Sequence, residues 1–392
     1  MTGSSSASVN IRNSRILVVD DNRVNRHLLV AVLQRGGFSN VGTAEDGVDA
    51  LARIGEAPPD LMLLDLMMPK MDGFEVCRHV RANPAWKDLP ILVQSSLSSS
   101  DDRKHAFSAG ATDFVTKPIN ATELLSRVRI HLENQALLRD LQQYRNRRQT
   151  ELALARSMQE RLLPPPSRLA QARADLGLSL SAHFEPSSEL GGDFWDLRRD
   201  DRDRLIVWLV DFSGHGVGAA LNTFRLHAIL RQMDLSNFDP AEHLREVNER
   251  VCPLLRNGQF ATMLVGVVDQ ATDTFHYASA GAPAPMIWQP GDEVPEFGDS
   301  SGLPVGILGS ARYENRDLSL PVGARLFLYS DGASELWTSD DTVLGEEGLL
   351  EIAQKHMHNP DDNHFLDGVL DSLAALGSFN DDVTALVLTR RR

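Results

Sequence analysis

The sequence predicts an α/β chain: a doubly wound parallel sheet, then a long helix, then a second α/β domain with much antiparallel sheet. Three observations predict this. Residues 15 to about 130 alternate short apolar runs with amphipathic stretches, residues 121–163 carry no Gly or Pro, and residues 176–389 hold many strand-like runs among a few helical ones.

The elements follow in order. Residues 1–14, beginning MTGSSSASVN, are polar with no apolar h-region and read as a disordered tail. In residues 15–120, RILVVDD, DLMLLD, LPILVQSS and DFVTK have the length and β-rich makeup of buried parallel strands. Helical patterns such as VNRHLLVAVLQRG and DGFEVCRHVRAN separate them, so the strand ends should surround one crevice. Residues 121–175 form a helical linker, with one helix expected over 121–163 and stopped by Pro164-Pro165-Pro166. Leu124, Leu138, Leu141, Leu152, Ala155 and Leu162 fit one a/d heptad register, while Arg127, His131, Asn134, Arg145, Arg148 and Gln159 fill its other positions. This half-apolar seam fits a coiled coil or a lone helix. In residues 176–392, LSLSAHF, RLIVWLV, ATMLVGVVD, RLFLYS and DVTALVL read as strands of a mixed domain.

Composition narrows the function classes. The 392 residues carry 54 Asp plus Glu against 39 Lys plus Arg, a net charge of −15. Nucleic-acid and anionic-membrane binders rely on basic surface, so neither partner is expected. Eight Arg against three acids between Arg139 and Arg173 make the linker locally basic. That stretch could contact RNA, pair with the acidic domains or form ion pairs across a helical dimer. Only Cys77 and Cys252 occur, with no CxxC spacing, which excludes a disulfide framework or thiolate zinc site. No apolar run approaches the ~20 residues that span a bilayer, so a cytoplasmic location is expected.

The first chemical constellation lies at strand ends. Asp20 and Asp21 close the first strand, Asp65 closes DLMLLD, Ser95 closes LPILVQS and Lys117 closes DFVTK. Converging carboxylates repel unless a cation neutralises them, and hard oxygen ligands suit Mg²⁺. With a lysine and a hydroxyl beside them, such acids can accept a phosphoryl group and stabilise its charge. These residues resemble a response-regulator receiver domain. The resemblance implies a five-stranded parallel sheet, Asp65 as phosphoacceptor, and Asp20, Asp21 and Asp65 holding Mg²⁺. It also implies Lys117 as the charge-stabilising lysine, Ser95 as the switch hydroxyl and Phe114 as the aromatic switch. A plain core aromatic fits Phe114 equally well.

The second constellation is a series of acids beside strands and Gly-rich turns: Asp193 in ELGGDFWDL, Asp211 in VDFSGHGVG, Asp331 in YSDGASE and Asp381 in FNDDVTALVL. Carboxylates without His or Cys favour Mg²⁺ or Mn²⁺ over zinc. The ordered segments resemble the sporulation and stress-response branch of type 2C metal-dependent Ser/Thr protein phosphatases. That resemblance implies an α/β/β/α sandwich and two Mg²⁺ or Mn²⁺ ions bridged by Asp211. Asp193 and the Phe212 backbone carbonyl would complete one metal site, and Asp331 and Asp381 the other. Asp382 adjoins Asp381, so the ligand could be set by one residue either way. His215 could act as a general acid or order its turn. Ser279-Ala280-Gly281-Ala282-Pro283 departs from the family's NAGHP-like segment, which bears on loop order or substrate contact rather than metal ligation.

Together the two resemblances imply a response regulator that dephosphorylates phosphoserine or phosphothreonine on a protein, under control of Asp65 phosphorylation. The implied partners are a sensor histidine kinase or phosphotransfer protein, a phosphorylated anti-sigma-factor antagonist as substrate, and a second copy dimerising through the receiver and linker helix. A non-catalytic, phosphorylation-switched scaffold that binds a sigma-factor regulator is the alternative.

Overall fold

The computed structural model describes residues 11–95, 100–214, 216–256, 258–339 and 341–391. The chain forms two compact units, one ending at Arg148 and the other beginning at Gln149.

The first unit alternates strands and helices: β1 (Ile16–Val19), α1 (Arg23–Arg35), β2 (Val41–Ala44), α2 (Gly47–Glu56), β3 (Leu61–Asp65), α3 (Gly73–Ala82), β4 (Ile91–Ser95), α4 (Ser100–Ala109) and β5 (Asp113–Thr116). All pairings are parallel, in the order β2-β1-β3-β4-β5. Ile16, Val18, Leu61, Leu63 and Leu92 face one helical layer, and Leu17, Val19, Met62, Leu64 and Val93 face the other. Burial on both faces is why these strands read as unbroken apolar runs. β2 is the exception. Its sequence, VGTA, is mostly half-buried at the sheet edge, so no apolar run marks it. Asn22, Asp46 and Asp72 cap α1, α2 and α3 through their side chains, Asp72 in a capping box with Glu75.

Helix α5 (Ala121–Glu160) is 40 residues long. It ends just short of the expected Pro run, and Pro166 opens a separate helix, α6 (Pro166–Leu176), where its fixed φ and missing N–H suit the first turn. The heptad positions do not form one seam. Leu124 is buried in the core of the first unit, Gln159 is buried in the second, and Leu138 and Leu141 are exposed.

After α6 come β6 (Leu178–Glu185), β7 (Asp193–Arg199), β8 (Leu205–Phe212), α7 (Val217–Gln232), α8 (Pro240–Val251), β9 (Ala261–Asp269), β10 (Thr274–Ala280), β11 (Met286–Trp288), β12 (Glu296–Phe297), β13 (Arg316–Ser319), β14 (Arg325–Tyr329), β15 (Trp337–Thr338), α9 (Gly345–His356), α10 (Asp362–Leu376), β16 (Gly377–Ser378) and β17 (Val383–Arg390). Two five-stranded antiparallel sheets result, β13-β10-β9-β8-β7 and β12-β11-β14-β17-β6. Trp195, Leu209, Leu264 and Tyr277 of the first sheet meet Leu326, Leu328 and Leu386 of the second between the layers. Helices α7 and α8 cover the outer face of one sheet through Leu226, Leu230, Leu244 and Val247. Helices α9 and α10 cover the other through Leu349, Ile352, Phe365 and Val369. This is the α/β/β/α sandwich. Among the described residues, no helix is long and apolar enough to cross a membrane.

Under α8, His243 is buried between Trp208 and Phe238 and accepts a hydrogen bond from Trp208 Nε1 at 3.1 Å. Burial, aided by Arg198 and Arg250, pushes its pKa down to about 4. Because the unfolded ring binds a proton more readily, the stability held by neutral His243 is complete above pH 6.5 and is lost as pH falls to about 4. His243→Gln keeps an acceptor for Trp208 and should flatten the pH dependence of unfolding free energy in that window by up to about 3 kcal/mol. Denaturant melts of both proteins at several pH values check this.

Candidate functional site

The first crevice lies beyond the carboxyl ends of β1, β3 and β5, where the strand order changes direction. Asp20 and Asp65 are buried and Asp21 is exposed, with one oxygen of each lying within 4.8 Å of the others. Lys117 Nζ donates to Asp65 Oδ2 at 2.7 Å and to Asp20 Oδ2 at 3.4 Å. Asp20 also accepts from the Asn22 backbone N–H at 2.8 Å, and Arg26 donates to the Asp20 and Asp21 carbonyls. Burial raises the pKa of Asp65, opposed by the Lys117 hydrogen bond and charge. Three carboxylates facing one ammonium leave the crevice short of about two positive charges, the deficit a divalent cation supplies. An all-oxygen donor set of this kind is consistent with Mg²⁺. Phe114 on β5 is half-buried, edge-on to Phe107, with the Arg127 guanidinium 5.5 Å from its ring centroid. Ser95 closes β4; its hydroxyl, like the whole of His215, lies outside the described parts of the chain.

The second set of acids gathers at one end of the sandwich. Asp193 opens β7 and pairs in register with Asp211 near the end of β8. Asp331 follows β14 in a 3-10 turn, and Asp381 precedes β17. Each sheet therefore contributes two acids. The backbones behind Asp331 and Asp381 touch: a Cβ on Gly332 would lie 2.0 Å from the Asp382 carbonyl oxygen, so only glycine fits. Both oxygens of Asp193 are buried without a hydrogen-bond partner, although the Ser330 and Thr384 hydroxyls lie close enough to temper its charge. Burial and the charge of Asp211 hold the Asp193 pKa well above the carboxylate range. Burial, then Asp331, pushes Asp211 up to about 8. Asp331 is raised by burial, then by Glu335 and Asp381. These four acids form an extended array, because the crevice above is the one group of three or more metal-type ligands within 4.8 Å among the described residues. The Phe212 ring is buried beneath α7, while its carbonyl oxygen lies 2.6 Å from where a Cβ on Gly192 would stand.

Comparison with known proteins also divides the chain in two. Residues 16–129 match the model of the response regulator receiver domain, and residues 201–391 match that of stage II sporulation protein E (SpoIIE). The chain joins an N-terminal response-regulator receiver domain to a C-terminal SpoIIE-type, PP2C-like phosphatase domain. The receiver is 44% identical over 117 residues to the response regulator PleD of Caulobacter vibrioides, covering 30% of this chain and 26% of PleD. It is 47% identical over 115 residues to the response regulator MprA of Mycobacterium avium, covering 29% of this chain and 49% of MprA. The chain thus spans less than half the length of these curated relatives. The SiaA-PP2C domain of Pseudomonas aeruginosa shares the phosphatase fold, with a TM-score of 0.53 and 21% identity over 63% of this chain and 97% of that domain.

Three residues of the second unit have roles that residue type alone conceals. Asp382 is buried and accepts from Gly192 N (2.5 Å), Ser187 N (2.7 Å) and Ser187 Oγ (2.9 Å). Its carboxylate is thereby committed to holding the Gly191-Gly192 turn, whereas Asp381 lies near enough to Asp211 and Asp331 for its charge to raise both. Gln159, near the end of α5, donates to the Gly191 carbonyl at 2.6 Å and accepts from Gly191 N at 3.2 Å. In the heptad pattern it is a polar interruption among the apolar positions Leu152, Ala155 and Leu162. Ser279, where the family segment carries Asn, is fully buried and accepts from Ala282 N at 3.2 Å. A hydroxyl thus closes the turn that the departure had put in question.

The two neighbouring acids should respond differently to substitution. Asp382→Ala removes three hydrogen bonds to a buried carboxylate and should lower unfolding stability by about 3 kcal/mol. Asp381→Asn should leave stability within about 0.5 kcal/mol but weaken Mn²⁺ binding at least tenfold. Thermal melts and calorimetric Mn²⁺ titrations of both variants test the distinction.

Proposed function

We propose that the chain is a two-component response regulator whose output is metal-dependent dephosphorylation of phosphoserine or phosphothreonine on a protein, controlled by phosphorylation of Asp65. The observation that carries this reading is the pair of buried, unpartnered oxygens of Asp193 opposite Asp211, in an array whose charges the fold does not itself neutralise. The donor set fits hard divalent cations. Asp193, Asp211 and the Phe212 carbonyl would hold one Mg²⁺ or Mn²⁺, and Asp211, Asp331 and Asp381 a second. When bound, such ions activate a water for in-line attack on phosphorus. The protein's own share is positional. Asp382 and Gln159 fix the Gly191-Gly192 turn that leads into Asp193, and the β7–β8 register sets Asp193 against Asp211.

In the receiver, Asp20, Asp21 and Asp65 would hold Mg²⁺, which offsets charge when Asp65 accepts a phosphoryl group from a sensor histidine kinase or phosphotransfer protein. Lys117, 2.7 Å from the acceptor carboxylate, would follow the added charge. Ser95 and Phe114 would re-set the adjoining face. Helix α5 supports control of the output, because its first turns lie in the receiver core through Leu124 and Val128 while Gln159 clasps Gly191. Leu137, Leu138, Leu141 and Tyr144 on α5 are all more than half exposed, which supports a homodimer along this helix. The substrate we favour is a phosphorylated anti-sigma-factor antagonist, on the strength of the SpoIIE-type domain.

With Mn²⁺, the full chain should hydrolyse an aryl phosphate, and Asp211→Ala should reduce the rate to that of the uncatalysed reaction. Undiminished turnover by Asp211→Ala would overturn the mechanism. No turnover by the native chain would favour the scaffold reading instead.

A further inference from the structure

The phosphatase domain leaves a set of large apolar side chains in solvent beside its acids. Val217 and Leu221 lie one turn apart on α7, which begins shortly after Asp211 and Phe212. Leu254 follows α8, and Ile307 and Leu308 lie on the loop between β12 and β13. Each of the five is 48–53% exposed. The segments that carry them are tied together. Ser213 N donates to the Phe260 carbonyl at 2.9 Å, and Phe260 N donates to Ser213 Oγ at 3.0 Å. Ala261 then pairs with Val305, ahead of Ile307 and Leu308. Asn248 of α8 donates to the Leu308 carbonyl and accepts from Gly306 N, both at 2.8 Å. Arg225, four residues after Leu221 on α7, donates to the Leu254 carbonyl at 3.3 Å.

The charge beside the patch is unbalanced. Arg225 and Arg256 are exposed, and among the described residues neither pairs with a carboxylate. Arg245 and Arg250 on neighbouring α8, by contrast, are bonded to Glu242, Glu249 and Glu246. Exposed apolar groups gathered beside unpaired arginines are the makeup of a protein-docking surface, where arginine and large apolar side chains carry much of the binding.

We infer that this patch docks the phosphoprotein substrate, seating apolar side chains that flank the phosphorylated residue on Val217, Leu221, Leu254, Ile307 and Leu308, and pairing acidic flanking residues with Arg225 and Arg256. The inference rests on the phosphatase reading above and adds what the substrate must carry. The continuity of the patch with Ser213, two residues from Asp211, favours substrate over a partner bound elsewhere.

The test compares three probes with the full chain and Mn²⁺: a phosphoserine decapeptide with Leu, Ile and Asp flanks, one with Gly and Ser flanks, and an aryl phosphate. The native chain should prefer the apolar–acidic peptide over the Gly/Ser peptide at least tenfold in kcat/KM, with the difference in KM. Leu221→Asp and Ile307→Asp should each cut that preference below threefold. Val322→Asp, at an exposed site between β13 and β14, should preserve it. Turnover of all three probes with no preference between the peptides overturns the docking surface alone. An equal loss of preference in Val322→Asp also overturns it. Turnover of none of the three overturns the phosphatase reading on which it rests.

Discussion

Like charges confined at one end of the sandwich are the constraint around which the second domain is arranged. Asp193, Asp211, Asp331 and Asp381 come from both sheets, and the first three are raised by burial and then by the charge of neighbouring carboxylates. A fold selected for stability alone would replace them or pair them with cations. Here the surroundings do neither. They over-determine the backbone instead, through the β7–β8 register, the Gly332–Asp382 contact and the three hydrogen bonds to Asp382. The strain of gathering the acids is thereby held ready for a ligand of opposite charge, as strain at functional sites commonly is. The receiver repeats the device on a smaller scale, with Lys117 supplying part of the missing charge.

Acids elsewhere in the chain show how context decides between structure and chemistry. Asp46 and Asp72 also lie in the turns around the receiver crevice, yet their side chains cap helices. Asp382 is as buried as Asp193, but its oxygens are fully engaged by backbone N–H groups and a serine hydroxyl. Asp193, by contrast, has no hydrogen-bond partner on either oxygen among the described residues. Helix α5 shows the same division. One end is core to the receiver, the other is held by a glutamine beside the glycines of the acid array, and its middle presents apolar groups to solvent.

Much of this was legible in the sequence because it follows local rules. Strands β1, β3 and β4 are buried on both faces and read as apolar runs, and the acids at their ends fall on one crevice by topology alone. Strands β8, β9 and β17 stood out for the same reason. What escaped depends on long-range contact. β2 is a short edge strand without an apolar signature. Gln159 and Asp382 earn their places from partners 32 and 190 residues away. The heptad positions do not mark one seam in the fold, because a period records which residues can share a face, not whether two cores divide that face between them.

The central claim, that the acid array is held at a cost in stability that a divalent cation relieves, is tested most directly by thermal unfolding of native protein and Asp211→Asn, each in chelator and in Mn²⁺. Removing this ionisable group, whose raised pKa opposes folding near neutral pH, while keeping its shape should raise the melting temperature in chelator by several degrees, since about 1 kcal/mol moves a domain of this size by ~2–4 °C. It should also abolish the stabilisation of the phosphatase transition by Mn²⁺ expected of the native protein. A variant less stable than native in chelator and still stabilised by Mn²⁺ would contradict the account.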